Sequence, residues 1–280
     1  MNYPTLLLPL DDDPHAAARL ALATRLARTW ESRLVGLSCH RPALPTDGGL
    51  PALHAPEPLV LDLLYGRQQA LDREQAFRRR CDAAGLASFE LRVDGDELAR
   101  AVTHHARSSD LVILGQPDPE DPECAGHRTV VHHVLMHTPR PVLLVPYAGT
   151  FEAPGQRILL AWDDSRAAAR AASDALPFMR LAGAVEVVQF DTGAPAPGNA
   201  DAASLAPVVR WLAGHGVAAS PAVLHARGDI GNALLSHAAD CGADLLVMGA
   251  WGTSSWAARV LGGATRKLLA SMTLPLLMSH

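Results

Sequence analysis

The chain is organised around the segment Asp244-Leu-Leu-Val-Met-Gly-Ala-Trp-Gly252, which is followed after a nine-residue spacer by Gly262-Gly-Ala-Thr265. The apolar run 245–248 is typical of a buried strand, and residues 264–272 have the pattern of a helix. A strand that ends in glycines and then leads into a helix places several backbone N–H groups around one small cavity. The unpaired donors and the partial positive charge of a first helical turn suit a phosphate there. Simple turns would also explain the glycines, so both interpretations stay open at this point.

The composition describes a compact protein without an electrostatic signature for nucleic acid. Hydrophobic residues make up 49% of the 280 residues, charged residues make up 19%, and the formal net charge is −5. A negative balance predicts no binding to nucleic acid or to an anionic membrane. The sequence shows no signal-peptide pattern, and no stretch approaches the ~20 apolar residues of a membrane helix. The four cysteines are scattered, as is typical of free thiols, so we expect a cytoplasmic protein.

Short apolar runs alternate with helical patterns along the first half of the chain. We predict strands at residues 5–10, 34–39, 89–93, 111–114 and 142–145, and helices at 16–30, 61–84, 98–107 and 130–136. The Pro-rich segment 41–58 is predicted to be irregular. This alternation predicts parallel βαβ units and a doubly wound α/β sheet.

The second half of the chain repeats the first. Residues 6–13 align with 158–165 at an offset of 152, and residues 110–115 align with 244–249 at an offset of 134. Residues 141–144 align with 275–278 at the same offset of 134. Three anchors in the same order indicate a tandem duplication, with predicted domains at 1–148 and 154–280.

The duplication provides an internal control for the glycine segment. Gly249 matches Gly115, but Gly252, Gly262 and Gly263 match Asp118, Arg128 and Thr129 in the first half. Three prolines between residues 117 and 122 also remove N–H donors that a phosphate would use. If either half binds a nucleotide, we therefore expect it to be the second.

These residues together resemble the universal stress protein family in its tandem two-domain form. The resemblance rests on the strand and acidic loop at 159–165, on the Gly-x2-Gly-x9-Gly spacing of Gly249, Gly252 and Gly262, and on the closing strand at 273–278. It implies two tandem five-stranded parallel-sheet domains, of a Rossmann-like or flavodoxin-like doubly wound type, that pair through their last strands as a pseudo-dimer.

The resemblance also implies an adenine-nucleotide site, with ATP or AMP as the ligand and Mg²⁺ as its companion ion. Ala161, Trp162 and Asp163 would lie beside the adenosine, Phe190 or Gln189 would flank the adenine, and Met248 and Gly249 would pass under the ribose. The phosphates would take N–H groups from Gly252, Gly262, Gly263 and Ala264.

One residue departs from the family pattern. The family places Ser or Thr directly after the third glycine, where the hydroxyl reaches a phosphate, and this chain has Gly263 there. The missing donor would cost ~1–3 kcal/mol if it served a charged group. Thr265, two residues on, is a candidate replacement. Trp162 takes a position where the family often has a small aliphatic residue, and it could crowd the adenine.

The other titratable residues suggest no dedicated chemistry. Asp163 and Asp164 follow a strand, where a carboxylate can cap a helix or contact a ligand, and both roles stay open. His133 and His137 have i, i+4 spacing but lack an HExxH pattern or cysteine partners, so no metal site is expected. No GxSxG or Walker A motif is present, so no catalytic residue is predicted.

The leading hypothesis is a regulatory stress-response protein that binds an adenine nucleotide through its C-terminal half. The alternatives are a structural or interaction module without nucleotide and a slow ATPase. Either a monomeric pseudo-dimer or a homodimer of tandem chains would fit the way the family assembles.

Overall fold

The computed structural model describes residues 2–40, 57–118, 125–191, 204–225, 229–250 and 265–280. The first half alternates strands and helices as its apolar runs predict. Its elements are β1 (Thr5–Leu10), α1 (Ala16–Trp30), β2 (Arg33–Cys39), α2 (Glu57–Ala83), β3 (Phe89–Asp94), α3 (Leu98–Ala106), β4 (Leu111–Gly115), α4 (Ala125–His137) and β5 (Val142–Val145).

The second half repeats this order, with one additional short helix after α5. Its elements are β6 (Arg157–Ala161), α5 (Arg166–Asp174), α6 (Leu176–Met179), β7 (Ala184–Asp191), α7 (Ala206–Gly214), β8 (Ala219–His225), α8 (Ile230–Asp240), β9 (Leu245–Gly249), α9 (Thr265–Ser271) and β10 (Leu276–Ser279).

The strands form one ten-stranded sheet in the order β3-β2-β1-β4-β5-β10-β9-β6-β7-β8. The strands within each half are parallel, and each half has the same order of five strands. The halves join where β5 and β10 pair antiparallel, with Leu143 opposite Leu277 and Val142 opposite Met278. The predicted α/β class and the pairing of the last strands are therefore confirmed. The domain boundaries at 148 and 154 stay a prediction, because the sheet is continuous across them.

Helices cover both faces of the sheet, and this is why its strands are almost continuously apolar. One buried cluster includes Leu6, Leu8, Leu160 and Val247 and lies under helices that include α1 and α5. The cluster on the opposite face includes Leu7, Val35, Ala161 and Met248 and lies under helices that include α3 and α8. We refer to these as the α1 face and the α3 face, respectively.

Two sequence predictions about helix boundaries need correction. Helix α4 spans Ala125–His137 rather than 130–136, because its first turn is polar and escaped an apolar pattern. Helix α2 begins at Glu57, inside the segment predicted to be irregular, while residues 41–56 lie outside the described part of the chain. The N-cap of α3 is Glu97, whose backbone N–H donates to the Asp96 carboxylate at 2.9 Å.

Aromatic side chains connect the two halves on the α1 face. The ring of Trp30 lies edge-to-face against Phe178 at 4.7 Å and against Tyr3 at 4.8 Å. The Tyr3 hydroxyl donates to the backbone carbonyl of Asp174, and burial raises the pKa of Tyr3 well above its ordinary value. Because Tyr3 and Trp30 belong to the first half and Phe178 to the second, this cluster ties the halves together beyond the strand pairing.

We predict that Phe178→Ala lowers the free energy of unfolding by about 3–5 kcal/mol, because a buried ring is lost and a cavity is left between the halves. Urea unfolding monitored by circular dichroism measures this change. Leu181→Ala is the matched control, since Leu181 is 54% exposed and its truncation should cost less than about 1 kcal/mol. Equal stability of the two variants would show that the aromatic cluster does not hold the halves together.

Candidate functional site: the carboxyl ends of β6 and β9

In each half, successive strands are first added on one side of the opening strand and then on its other side. In the second half β6 lies between β7 and β9, and in the first half β1 lies between β2 and β4. The crevice at the carboxyl ends of two such neighbouring strands is the usual ligand site of an open α/β sheet. The two equivalent crevices therefore lie beyond β1 and β4 and beyond β6 and β9.

The crevice of the first half contains a buried ion-pair cluster. Arg19, which is 2% exposed, contacts the carboxylates of both Asp11 and Asp13, the latter at 2.5 Å. His127 Nε2 lies 3.0 Å from the second carboxylate oxygen of Asp11. Burial alone raises the pKa of Asp11, but Arg19 and His127 outweigh burial and hold that pKa below its ordinary value. The hydrogen bond to Asp11 raises the pKa of His127.

Arg19 occupies the space that a ligand would need in the first half. Its guanidinium lies so close to Gly115 that a Cβ built on that glycine would be 2.1 Å from Arg19 Nη1. The residue at the corresponding position of the second half is Ala171, at the offset of 152. A long cationic side chain thus lies beside Gly115 in the first crevice, whereas backbone atoms of Ala167 and Ala168 lie beside Gly249 in the second.

The crevice of the second half begins where β6 ends at Ala161. Asp163 accepts a hydrogen bond from the Ser165 N–H at 3.1 Å, and Ser165 is the N-cap of α5, with its Oγ accepting from the Ala168 N–H at 3.1 Å. The capping role considered for Asp163 therefore belongs to Ser165. Asp164 adopts a left-handed backbone with φ of 58°, which turns the chain sharply between strand and helix.

Gly249 has a packing role at the end of β9. A Cβ at this position would lie 2.7 Å from the carbonyl carbon of Ala167 and 2.7 Å from the nitrogen of Ala168, both in the first turn of α5. Backbone atoms cannot move aside as a flexible side chain can, so any larger residue would push α5 away from the sheet. This glycine therefore brings the N-terminal turn of α5 against the end of β9.

The described site residues do not all lie on one face of the sheet. Ala161 and Met248 are buried on the α3 face, and Phe190 packs against the same cluster. Trp162 packs against the cluster of the α1 face, and its backbone N–H donates to the Val188 carbonyl at 2.8 Å. The indole is thus partly buried in the core of the other face, away from Phe190.

The remaining predicted phosphate ligands fall outside the described residues. Gly252, Gly262, Gly263 and Ala264 lie in the segment 251–264, and Thr265 is the first residue of α9. Their proposed contacts with phosphate stay a prediction from the sequence.

Sequence reasoning missed the Arg19 cluster. The available signal was an arginine in the apolar pattern of α1, three positions before Leu22 and seven before Leu26, with which it is buried. Its carboxylate partners come from the loop after β1, and His127 comes from a helix more than 100 positions later, so only the fold brings them together.

The sequence profile of the universal stress protein family matches residues 155–280, which include every predicted site residue. The C-terminal half of the chain belongs to the universal stress protein family. Full-length structural similarity accords with the tandem form of that family. A universal stress protein from Archaeoglobus fulgidus DSM 4304 aligns over 98% of this chain and 95% of its own, with a TM-score of 0.71 and 16% identity.

Two structures from Pseudomonas aeruginosa are also similar over the whole chain. A protein of unknown function from strain PAO1 aligns over 99% of this chain and 92% of its own, with a TM-score of 0.57 and 15% identity. A candidate universal stress protein from strain UCBPP-PA14 aligns over 99% of this chain and 93% of its own, with a TM-score of 0.56 and 17% identity. At these identities the similarity establishes the fold. No curated protein matches the sequence.

None of the helices in the described part of the chain combines the length and the apolar character needed to cross a bilayer.

We predict that His127 titrates above the ordinary histidine value of about 6.5, because its protonated form is stabilised by Asp11. The stability that it contributes is fully present below about pH 6.5 and is lost as the pH rises through the raised pKa of the folded protein. An NMR titration of the imidazole signals measures this pKa. Asp11→Asn should lower it, whereas Asp12→Asn should not, since the Asp12 side chain is 69% exposed. A wild-type pKa at or below 6.5 would contradict the proposed pairing.

Proposed function

We propose that this chain is a regulatory universal stress protein that binds one adenine nucleotide, ATP or AMP, through its C-terminal half. The observation that carries the proposal is the difference between the two equivalent crevices. In the first, Arg19 and its two carboxylate partners take up the space beside Gly115. In the second, Ala171 replaces the arginine, and the glycine segment that follows β9 retains donors for an anion.

The described residues support a nucleoside at the carboxyl ends of β6 and β9. Asp163 is the acidic group after β6 and is proposed to accept a hydrogen bond from the ribose or the base. Ala161, Met248 and Phe190 share the α3 face and are proposed to lie beside the nucleoside. Trp162 packs on the other face, so the crowding of the adenine considered from the sequence is not part of this proposal.

The phosphate contacts are proposed from the sequence. Gly252, Gly262, Gly263 and Ala264 would donate N–H groups, Thr265 would contribute a hydroxyl near the start of α9, and Mg²⁺ would accompany ATP. Binding is proposed to act by changing which protein partners the chain engages. Dedicated catalysis is not part of the proposal, and no catalytic residue is assigned.

One observation favours the alternative of an interaction module without nucleotide. The close approach of Gly249 to α5 explains that glycine by packing alone. Chromatography of small molecules released on denaturation separates the two functions, since the nucleotide proposal expects ATP or AMP at close to one per chain. No release, together with no calorimetric binding at millimolar ATP, would favour the module. Time-dependent ADP formation that is lost in Asp163→Ala would instead indicate the slow ATPase.

We predict that Gly262→Asp abolishes ATP binding in isothermal titration calorimetry, because a carboxylate would stand where a phosphate is expected. The duplication supplies a matched control, since Arg128 is the aligned residue of the first half and is exposed. Arg128→Asp should leave the affinity and the stoichiometry unchanged. Loss of ATP binding in Arg128→Asp, or ATP binding that is retained in Gly262→Asp, would contradict a nucleotide site in the second half.

We also predict that Gly263→Ser tightens ATP binding by at least about tenfold, because a hydroxyl donor to a charged phosphate contributes ~1.5–3 kcal/mol. The same calorimetric titration measures it, with AMP as the comparison ligand. Unchanged ATP affinity would mean that the hydroxyl position is irrelevant to this chain.

A further inference from the structure

A glutamate, a histidine and a cysteine come together at the edge of the second half, away from the proposed nucleotide site. The potential ligand atoms of Glu186 on β7 and of His237 and Cys241 on and just after α8 all lie within 4.8 Å of one another. His237 Nε2 is 3.1 Å from Glu186 Oε1. Glu186 is four residues before Phe190 on the same strand, which corresponds to about 13 Å along an extended chain. The cluster is therefore separate from the crevice.

Glu186 is unusual for its position in the sheet. It alternates with Val185 and Val187, which are buried on the α1 face, so its side chain is on the α3 face beneath α8. In the first half Leu7 pairs with Val35, and in the second half the aligned Leu159 pairs with Glu186. Val35 is fully buried. The second half thus has a carboxylate at a position where the first half has a buried apolar side chain.

His237 and Cys241 lie on the same side of α8, one turn apart. The i, i+4 spacing places two side chains on the same helical face, and Cys241 continues the turn as the C-cap with φ of −86° and ψ of −2°. The Cys241 thiol contacts the Ala238 carbonyl at 3.5 Å, a long and weak hydrogen bond. All three side chains are half-buried, so they are shielded yet accessible to an ion from solvent.

The donor set and its dimensions suit zinc. Zn²⁺ takes thiolate, imidazole and carboxylate ligands at about 2.0–2.3 Å in a tetrahedron, which separates neighbouring ligand atoms by about 3.3–3.8 Å. The His237–Glu186 distance of 3.1 Å already lies near that range, and all three potential ligand atoms lie within 4.8 Å of one another. Magnesium and calcium prefer oxygen ligands, so a sulfur and a nitrogen disfavour them.

The other cluster of this kind, formed by Asp11, Asp13 and His127, differs in one decisive respect. Arg19 already contacts both of its carboxylates, so a fixed positive charge stands where a cation would bind. In the described part of the chain, Glu186 pairs with His237 and forms no ion pair with an arginine or a lysine.

We propose that Glu186, His237 and Cys241 bind one Zn²⁺ ion, with a fourth position open to water, and so clamp α8 to β7. Binding replaces the thiol proton of Cys241, which is released to solvent. No metal site is predicted from the sequence, because Glu186 is 51 positions from His237 and only the fold brings the two together.

The test uses full-length, tag-free protein treated with a chelator and then titrated with Co²⁺ under reducing conditions. Wild type should develop the thiolate-to-cobalt charge-transfer band and the visible bands of tetrahedral cobalt, saturating at one ion per chain. One equivalent of Zn²⁺ should remove both, and Zn²⁺ should raise the melting temperature.

Variants assign the ligands. Cys241→Ser, His237→Gln and Glu186→Val should each weaken Zn²⁺ binding by more than about a hundredfold, since loss of an outer-shell partner alone costs 10–100-fold. Glu186→Val introduces the residue that the first half has at this position, so it should keep the metal-free fold, as circular dichroism checks. Cys39→Ser is the control, because Cys39 is a half-buried free thiol outside the cluster.

The result that overturns the proposal is the absence of a charge-transfer band at one equivalent of cobalt. A band that persists in Cys241→Ser, or a Zn²⁺ affinity that is unchanged in folded Glu186→Val, would overturn it equally. These outcomes are independent of ATP binding, so they leave the proposed function untouched.

Discussion

The antiparallel pairing of β5 with β10 is the interaction on which the rest of the structure depends. A five-stranded sheet by itself would expose the backbone groups of its last strand, and an exposed apolar edge invites association. Here Leu143 and Leu144 face Leu277 and Leu276 across the junction, and the four side chains are buried. Because the junction makes the two apolar cores continuous, each half stabilises the other, and the carboxyl ends of their strands remain available for separate uses.

Those strand ends have diverged through a small number of side chains. In the first half, a buried arginine pairs with two carboxylates and fills the crevice, and His127 supplies a second positive charge when it is protonated. A buried ion pair of this kind gives little net stability, but loss of one partner is costly because the other charge stays buried. In the second half the aligned position is Ala171, so no arginine side chain extends from this position towards the crevice. The same scaffold therefore supports a closed crevice and one that is proposed to receive an anion.

Local sequence patterns predicted most of the fold because each buried strand is a continuous apolar run. Thr5–Leu10, Ala16–Trp30 and Val142–Val145 begin and end where the sequence indicated. The errors fell on elements whose ends are polar, such as α4, where no apolar pattern marks the boundary. The sequence predicts the candidate site in the second half, because the first half has Asp118, Arg128 and Thr129 in place of three of the glycines.

The chemistry that the sequence could not predict depends on contacts between distant positions. The pairing of Arg19 with Asp11 and His127 depends on tertiary structure, as does the meeting of Glu186 with His237. Gly249 shows that a sequence pattern can have two explanations. It belongs to a glycine pattern that suggested a phosphate loop, but its close packing against α5 also explains why a glycine is needed there. Motif glycines therefore need a ligand measurement before a function is assigned to them.

We propose that the two copies of the fold have different roles. The crevice of the first half is filled by Arg19, and the crevice of the second half binds a nucleotide. A crystal structure of the chain grown with millimolar ATP tests this most directly. We predict one adenine nucleotide beyond the carboxyl ends of β6 and β9, with Arg19 still paired to Asp11 and Asp13 in the first half. A nucleotide bound beyond β1 and β4, or an empty second crevice at that concentration, would contradict it.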